Sequence, residues 1–123
     1  MDETIWVKEL EWTELLDGKH AAVAGLQGRW RRWVSPRESN GNMVFGLGEL
    51  GPGETADWHE HPEAEVFFVL AGRGEAKWRV DGVQHQAPLR EGVAFYKIGG
   101  IPHQMVCVGD EPLRGVYFKA GGK

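Results

Sequence analysis

The chain has 123 residues, a length that supports one domain around a single hydrophobic core. It has the composition of a soluble globular protein, with 41% hydrophobic and 26% charged residues, and its net charge of -4 argues against a nucleic-acid partner. No apolar run approaches the roughly 18 residues that a membrane-spanning helix needs, so we expect no contact with a membrane.

Short segments separated by glycine and proline follow one another along the chain, which favours an all-β domain. Residues 11–18 are predicted to form a short helical turn in an N-terminal extension. After this turn, β-branched and aromatic stretches predict strands at 20–27, 29–34, 42–50, 65–70, 75–86 (a hairpin), 93–98, 103–108 and 114–119.

The basic residues Arg29, Arg31 and Arg32 alternate with Trp30 and Trp33. Arginines between aromatic residues can bind nucleic acid, but the cluster is short and the rest of the chain is acidic. We therefore interpret it as a strand at the edge of a barrel or as a subunit contact. The chain carries 6 tryptophans, and large aromatic side chains are enriched at interfaces, so we predict a homodimer.

The glycines of "GLGELG" (residues 46–51) match the dinucleotide-binding fingerprint G-x-G-x-x-G. That fingerprint binds pyrophosphate only between a strand and a helix. No helical periodicity follows here, so we assign the glycines to strand bends and to a turn at Pro52 and Gly53.

Asp81 and Gly82 form a preferred two-residue hairpin turn inside "EAKWRVDGVQHQ" (residues 75–86). This turn places His85 opposite Trp78 on the neighbouring strand. We therefore interpret His85 as a cross-strand neighbour and not as a metal ligand.

Histidines and a glutamate follow one another closely in "HEHPEAE" (residues 59–65). His59, His61 and Glu65 share odd parity, and an extended backbone would direct both imidazoles to one face. Glu65 begins the strongest predicted strand. His103 follows a Gly-Gly-Ile-Pro turn and could reach the same cavity from another strand.

The full pattern resembles the cupin family in two motifs. In the first, Gly53 is followed by five residues, His59-x-His61, three residues, Glu65, six residues and Gly72, and every fixed position matches. The second motif contributes Gly92, Gly100 and His103, whereas Ile98 replaces its proline and Cys107 its asparagine. The core motifs span residues 53–72 and 92–107, and we expect one cupin domain over residues 1–123.

The resemblance implies an antiparallel jelly-roll barrel, also called a double-stranded β-helix. It also implies one divalent metal ion inside the barrel, held by His59, His61, Glu65 and His103. These ligand types suit Fe, Mn, Ni, Co, Cu or Zn and do not choose among them.

The resemblance further implies open coordination positions on the metal and an enzyme of the dioxygenase, isomerase or lyase type that acts on a small oxygen-bearing molecule. The alternative is a non-catalytic binding or sensor barrel. We assign no basic residue to the pocket itself, and Arg29, Arg31 and Arg79 are candidates for its mouth. This favours diketones, hydroxy acids or phenols over phosphorylated sugars as substrates. The catalytic residues are unknown; Tyr96 and Cys107 are candidates, although a packing role suits each of them.

Cys107 is the only cysteine and can form no internal disulfide. The acidic start of the chain leads into no signal-like apolar segment. Both features predict a cytoplasmic protein.

Overall fold

The structure is a computed structural model that describes residues 28–34 and 43–120. These residues form nine strands and no helix, which confirms the all-β prediction. The predicted helical turn at 11–18 and the predicted strand at 20–27 lie outside the described residues. The strands are β1 (Arg29–Val34), β2 (Met43–Leu50), β3 (Thr55–His59), β4 (Ala64–Ala71), β5 (Arg73–Val80), β6 (Val83–Arg90), β7 (Ala94–Lys97), β8 (His103–Cys107) and β9 (Leu113–Ala120).

The strands form two antiparallel sheets that share one core, in the arrangement of a cupin jelly roll. One sheet has the order β1-β2-β9-β4-β7 and the other the order β3-β8-β5-β6. This order places β3 beside β8, although the two strands are far apart in sequence. The core is made of buried side chains from both sheets: Val44, Leu50, Ala56, Phe67, Val69, Ala76, Leu89, Phe95, Met105, Cys107, Leu113 and Tyr117.

Strand β4 shows how side-chain alternation builds this core. Glu65, Phe67 and Val69 are buried, whereas Phe68 and Leu70 on the opposite face are exposed. Successive side chains of a strand point to opposite faces of the sheet, so the buried set faces the second sheet. The glutamate is therefore carried into the barrel by the same face that carries the apolar core.

The hairpin that joins β5 to β6 has the predicted turn. Asp81 and Gly82 both have positive φ, 52° and 78°, as a two-residue turn matched to the twist of the strands requires. Trp78 pairs with His85, and their rings stack with centroids 5.8 Å apart. The interpretation of His85 as a neighbour of Trp78 is confirmed.

Among the described residues, no helix follows the glycine fingerprint at residues 46–51. Gly46 and Gly48 lie within β2, and the following turn contains Gly53 with a φ of 82°. A Cβ atom on Gly48 would overlap the ring of Trp30, so this glycine makes room for a partly buried aromatic side chain that packs against the core. The described residues include no helix of the length and apolar character needed to cross a membrane.

Candidate metal centre

Neighbouring strands bring the three histidines together. His59 ends β3 and pairs directly with His103, the first residue of β8, while His61 lies in the loop between β3 and β4. One ring nitrogen from each histidine lies within 4.8 Å of those of the other two. The ring centroids of His59 and His103 are 4.3 Å apart, and those of His61 and His103 are 5.1 Å apart. The predicted histidines thus converge on one point inside the barrel.

The route by which His61 reaches this point differs from the sequence-based argument. Strand β3 ends at His59, and its pairing with β8 shifts register between Ala56 and His59. Parity along a continuous strand therefore does not set the direction of His61. Instead, its carbonyl oxygen accepts a hydrogen bond of 2.9 Å from the Gly100 amide, which ties its loop to the loop that precedes His103.

Each histidine ring is fixed by a hydrogen bond to the backbone. The Nδ1 atoms of His59, His61 and His103 lie 2.7, 3.0 and 2.8 Å from carbonyl oxygens. The accepting carbonyls belong to Asp57, Glu63 and Ile101. A carbonyl oxygen can only accept, so Nδ1 carries the proton, and in the neutral ring Nε2 keeps its lone pair. Such outer hydrogen bonds orient the histidines that bind metal ions.

Glu65 completes the set of acceptors. Its Oε1 atom lies 3.1 Å from Nε2 of His61 and 3.6 Å from Nε2 of His103. Two acceptor atoms this close need a positive charge between them, either a second ring proton or a metal ion. Among the described residues, His103 Nε2 is buried without a hydrogen-bond partner. Three imidazole nitrogens beside one carboxylate fit a divalent transition metal.

Sequence analysis missed a basic residue at this site. Lys97 is only 5% exposed, and its Nζ atom lies 2.9 Å from Oε1 of Glu65 and 4.2 Å from the ring centroid of Phe95. Glu65 pairs with Lys97 on β7 and with Lys119 on β9, so lysines flank it on both sides. From the sequence, three arginines are candidates for the mouth of the pocket, and Lys97 is not among them. Lys97 lies two residues after Phe95 and so shares its inward face, which the sequence alone indicates. Its pairing with Glu65 depends on which strands are neighbours and is not visible in the sequence.

Burial and neighbouring charges set the protonation of the site. Burial lowers the pKa of His103 to about 3, helped by the charge of Lys97, and burial also lowers the pKa of His59. Burial opposes ionisation of Glu65, but contact with His61 and the charges of the two lysines outweigh it and hold its pKa well below the usual range. Near neutral pH the site therefore offers His59 and His103 as neutral imidazoles and Glu65 as an ionised carboxylate.

Neither candidate catalytic residue is among the converging groups, although Tyr96 lies at the neighbouring cavity. Tyr96 is 63% exposed and pairs with Val66, so it shares the outer face of its sheet. Cys107 is buried, and its thiol donates a hydrogen bond of 3.2 Å to the carbonyl oxygen of Glu111. It is four residues beyond His103 on β8, a separation of about 13 Å along an extended strand.

A cavity of about 500 Å³ lies beside the histidines, between the β5–β6 hairpin and β7. Its lining includes Trp78 and Phe95, and the Phe95 ring centroid is 6.4 Å from that of His103. Lys97 is the one charged side chain among the described residues that line it. The lining residues are Ala76, Trp78, Val80, Ala87, Pro88, Leu89, Val93, Ala94, Phe95, Tyr96, Lys97, Ile98 and Ile101.

Comparison with known proteins gives matches in sequence and in structure. The cupin domain profile matches residues 46–118. A dimethylsulfoniopropionate lyase, DddW of Ruegeria pomeroyi, is 38% identical over 90 residues, which cover 72% of this chain and 56% of the lyase. The chain thus spans about half the length of this curated relative.

Solved structures of oxalate decarboxylase from Bacillus subtilis share the fold. One, from work on its Mn(II) centres, has a TM-score of 0.70 and 24% identity over 80% of this chain and 26% of the decarboxylase chain. A second, determined at pH 4.6, has the same TM-score and identity over 79% of this chain. The match covers about a quarter of each decarboxylase chain and establishes the fold.

Proposed function

This chain belongs to the cupin domain family, and we propose that it is a divalent-metal-dependent lyase that acts on a small carboxylic acid. The observation that carries the proposal is the convergence of three histidines whose Nδ1 atoms are all held by backbone carbonyls. That arrangement leaves three Nε2 lone pairs beside the carboxylate of Glu65. A surface cluster of histidines would lack this common anchoring.

The metal ion would be held by His59, His61, Glu65 and His103. When bound, it supplies a positive charge that polarises a coordinated oxygen and makes protons on the neighbouring carbon more acidic. Fe, Mn, Ni, Co, Cu and Zn all suit these ligands. The surroundings of the site keep His59 and His103 neutral and Glu65 ionised, which are the protonation states that metal binding requires.

A lyase is favoured over a dioxygenase or an isomerase by the sequence relative that acts on dimethylsulfoniopropionate. In elimination from a 3-substituted propionate, a base takes the proton from the carbon next to the carboxylate. The C–H electron pair forms the C=C bond, and the substituent on the following carbon leaves with its bonding pair. This elimination needs no oxidant. In this chain, buried Lys97 provides a positive charge at the site, and the apolar lining of the cavity keeps water away from the reacting carbon.

The test is incubation of metal-loaded protein with a panel of 3-substituted propionates, dimethylsulfoniopropionate among them, followed by proton NMR. We expect vinyl proton signals of the unsaturated acid, lost after chelation and in His103→Ala but retained in the control His85→Ala. Oxygen consumption without vinyl signals would contradict the lyase activity and favour a dioxygenase activity. Substrate binding without turnover of any acid would favour the non-catalytic barrel.

We also propose that the protein is a cytoplasmic homodimer. The outer face of the five-stranded sheet carries partly exposed Phe68, Leu70 and Tyr96, and such apolar surface favours association. The buried, reduced Cys107 suits a reducing compartment. Light scattering should give about twice the chain mass of 13.7 kDa; a monomer at micromolar concentration would refute the dimer.

A further inference from the structure

The cavity next to the histidines has an uneven distribution of polarity. Along β5, β6 and β7 its lining is aliphatic and aromatic, and Lys97 supplies the single charged group among the described lining residues. The same ammonium lies 2.9 Å from Oε1 of Glu65. Lys97 therefore contacts both the cavity and the carboxylate of the candidate metal centre.

The ammonium of Lys97 has capacity for a further acceptor. Its three N–H groups face one carboxylate oxygen and the ring of Phe95, and hydrogen-bond geometry to another described residue is absent. Burying an ammonium is costly unless acceptors surround it. An anionic group entering the cavity would supply the missing acceptors through charge-assisted hydrogen bonds.

The charge balance points in the same direction. Glu65 contributes one negative charge, whereas Lys97 and Lys119 flank it with two positive charges. A divalent metal ion would add two more. Attraction between charges is stronger at a buried site than in water, so this end of the cavity favours an anion.

We propose that Lys97 is a substrate-binding residue that anchors a carboxylate beside the metal centre, while the apolar lining of the cavity holds a hydrocarbon substituent of the same molecule. The inference rests on the proposed function, because it names the substrate class of that metal site. The preferred ligand is a monocarboxylate with a tail of several carbons. Sugars and other polyols are excluded, since the lining offers their hydroxyl groups few partners.

The experiment measures binding by calorimetry, with three probes on metal-loaded protein: 4-methylpentanoate, its amide 4-methylpentanamide, and acetate. We expect the acid to bind at least about tenfold more tightly than the amide, because the charged hydrogen bond is lost in the amide. We also expect it to bind at least about tenfold more tightly than acetate, because the tail buries apolar surface.

Three variants test the two halves of the proposal. Lys97→Met should weaken binding of the acid by at least about tenfold while leaving the amide unaffected. Lys77→Met makes the same change on β5, at a lysine on the outer face, and should bind all probes as the original protein does. Ala87→Leu fills part of the cavity, so it should weaken the binding of 4-methylpentanoate but not that of acetate. Thermal unfolding confirms that each variant is folded.

Full binding of the acid to folded Lys97→Met would overturn the anchoring role, and full binding to Ala87→Leu would overturn the tail site. Metal content, measured on the same samples, separates this inference from the proposed function. If metal-loaded protein binds the acid equally tightly with and without Lys97, the carboxylate site is contradicted and the metal-dependent function is not. Protein that takes up no metal but binds the acid through Lys97 contradicts the metal-dependent function and keeps the carboxylate site.

Discussion

At the scale of single residues, the site depends on how buried charge is compensated. Glu65 is an ionised carboxylate inside an apolar barrel, and it is stabilised by His61 and by a lysine on either neighbouring strand. In sequence, the histidines and Glu65 are recognisable because their spacing is local. Lys97 is 32 positions beyond Glu65, and its role becomes visible only when β4 and β7 are paired.

Glu65→Gln should destabilise the metal-free protein, because it leaves the ammonium of Lys97 buried without a carboxylate partner. Breaking one partner of a buried ion pair costs about 3 kcal/mol of the free energy of unfolding. Urea unfolding measures the change. Glu63→Gln is the control, since its carboxylate is 30% exposed and its loss should have little effect. Equal stability of both variants would show that Lys97 does not depend on Glu65.

At the scale of elements, the loops on either side of the site are packed against each other. Gly100 donates its amide to the His61 carbonyl and has a φ of 81°, a conformation that suits glycine. Gly99 lies so close to the Pro62 carbonyl that no side chain fits between them. Ile98, which stands at the motif's proline position, is 61% exposed and leaves these contacts intact.

Gly99→Ala should therefore weaken metal binding. The added Cβ atom would overlap the Pro62 carbonyl and push apart the loops that carry His61 and His103. A displacement of this kind costs metal affinity by about tenfold or more, as other losses of ligand orientation do. Competition with a fluorescent chelator measures the affinity. In the control Gly109→Ala, the nearest atom to the new Cβ lies 3.6 Å away, so unchanged affinity is expected. Equal affinities in the two variants would refute the packing argument.

Strands and turns that depend on adjacent residues were predictable from the sequence, whereas those that depend on distant strand pairing were not. The Asp81-Gly82 hairpin and the β-branched run of β4 were predicted correctly, because the turn type and the alternation of side chains are determined by adjacent residues. The end of β3 at His59 was not predicted. It depends on a register shift against β8, which is a contact between segments more than 40 residues apart.

At the scale of the whole molecule, the buried histidines link stability to pH. Burial lowers the pKa of His59 and His103 from the ordinary value of 6.5, to about 3 for His103. Below pH 6.5 the unfolded chain therefore binds more protons than the folded protein, and stability falls as the pH falls. Glu65, whose pKa is also lowered, adds to the loss below its ordinary value of 4.5.

Urea unfolding of chelator-treated protein should accordingly show a steady loss of stability from about pH 7 to about pH 4. In His103→Leu the dependence should be shallower, because one buried titrating group has been removed. A free energy of unfolding that stays constant over this range would contradict the neutral state of His59 and His103 in the folded protein.

Elemental mass spectrometry of purified, tag-free protein measures whether the barrel holds a divalent metal ion. We expect close to one transition-metal ion per chain, lost in His59→Ala and in Glu65→Ala. It should be retained in His85→Ala, because His85 stacks on Trp78 and is not one of the converging histidines. Protein that remains free of metal after reconstitution with each of Fe, Mn, Ni, Co, Cu and Zn would contradict this expectation.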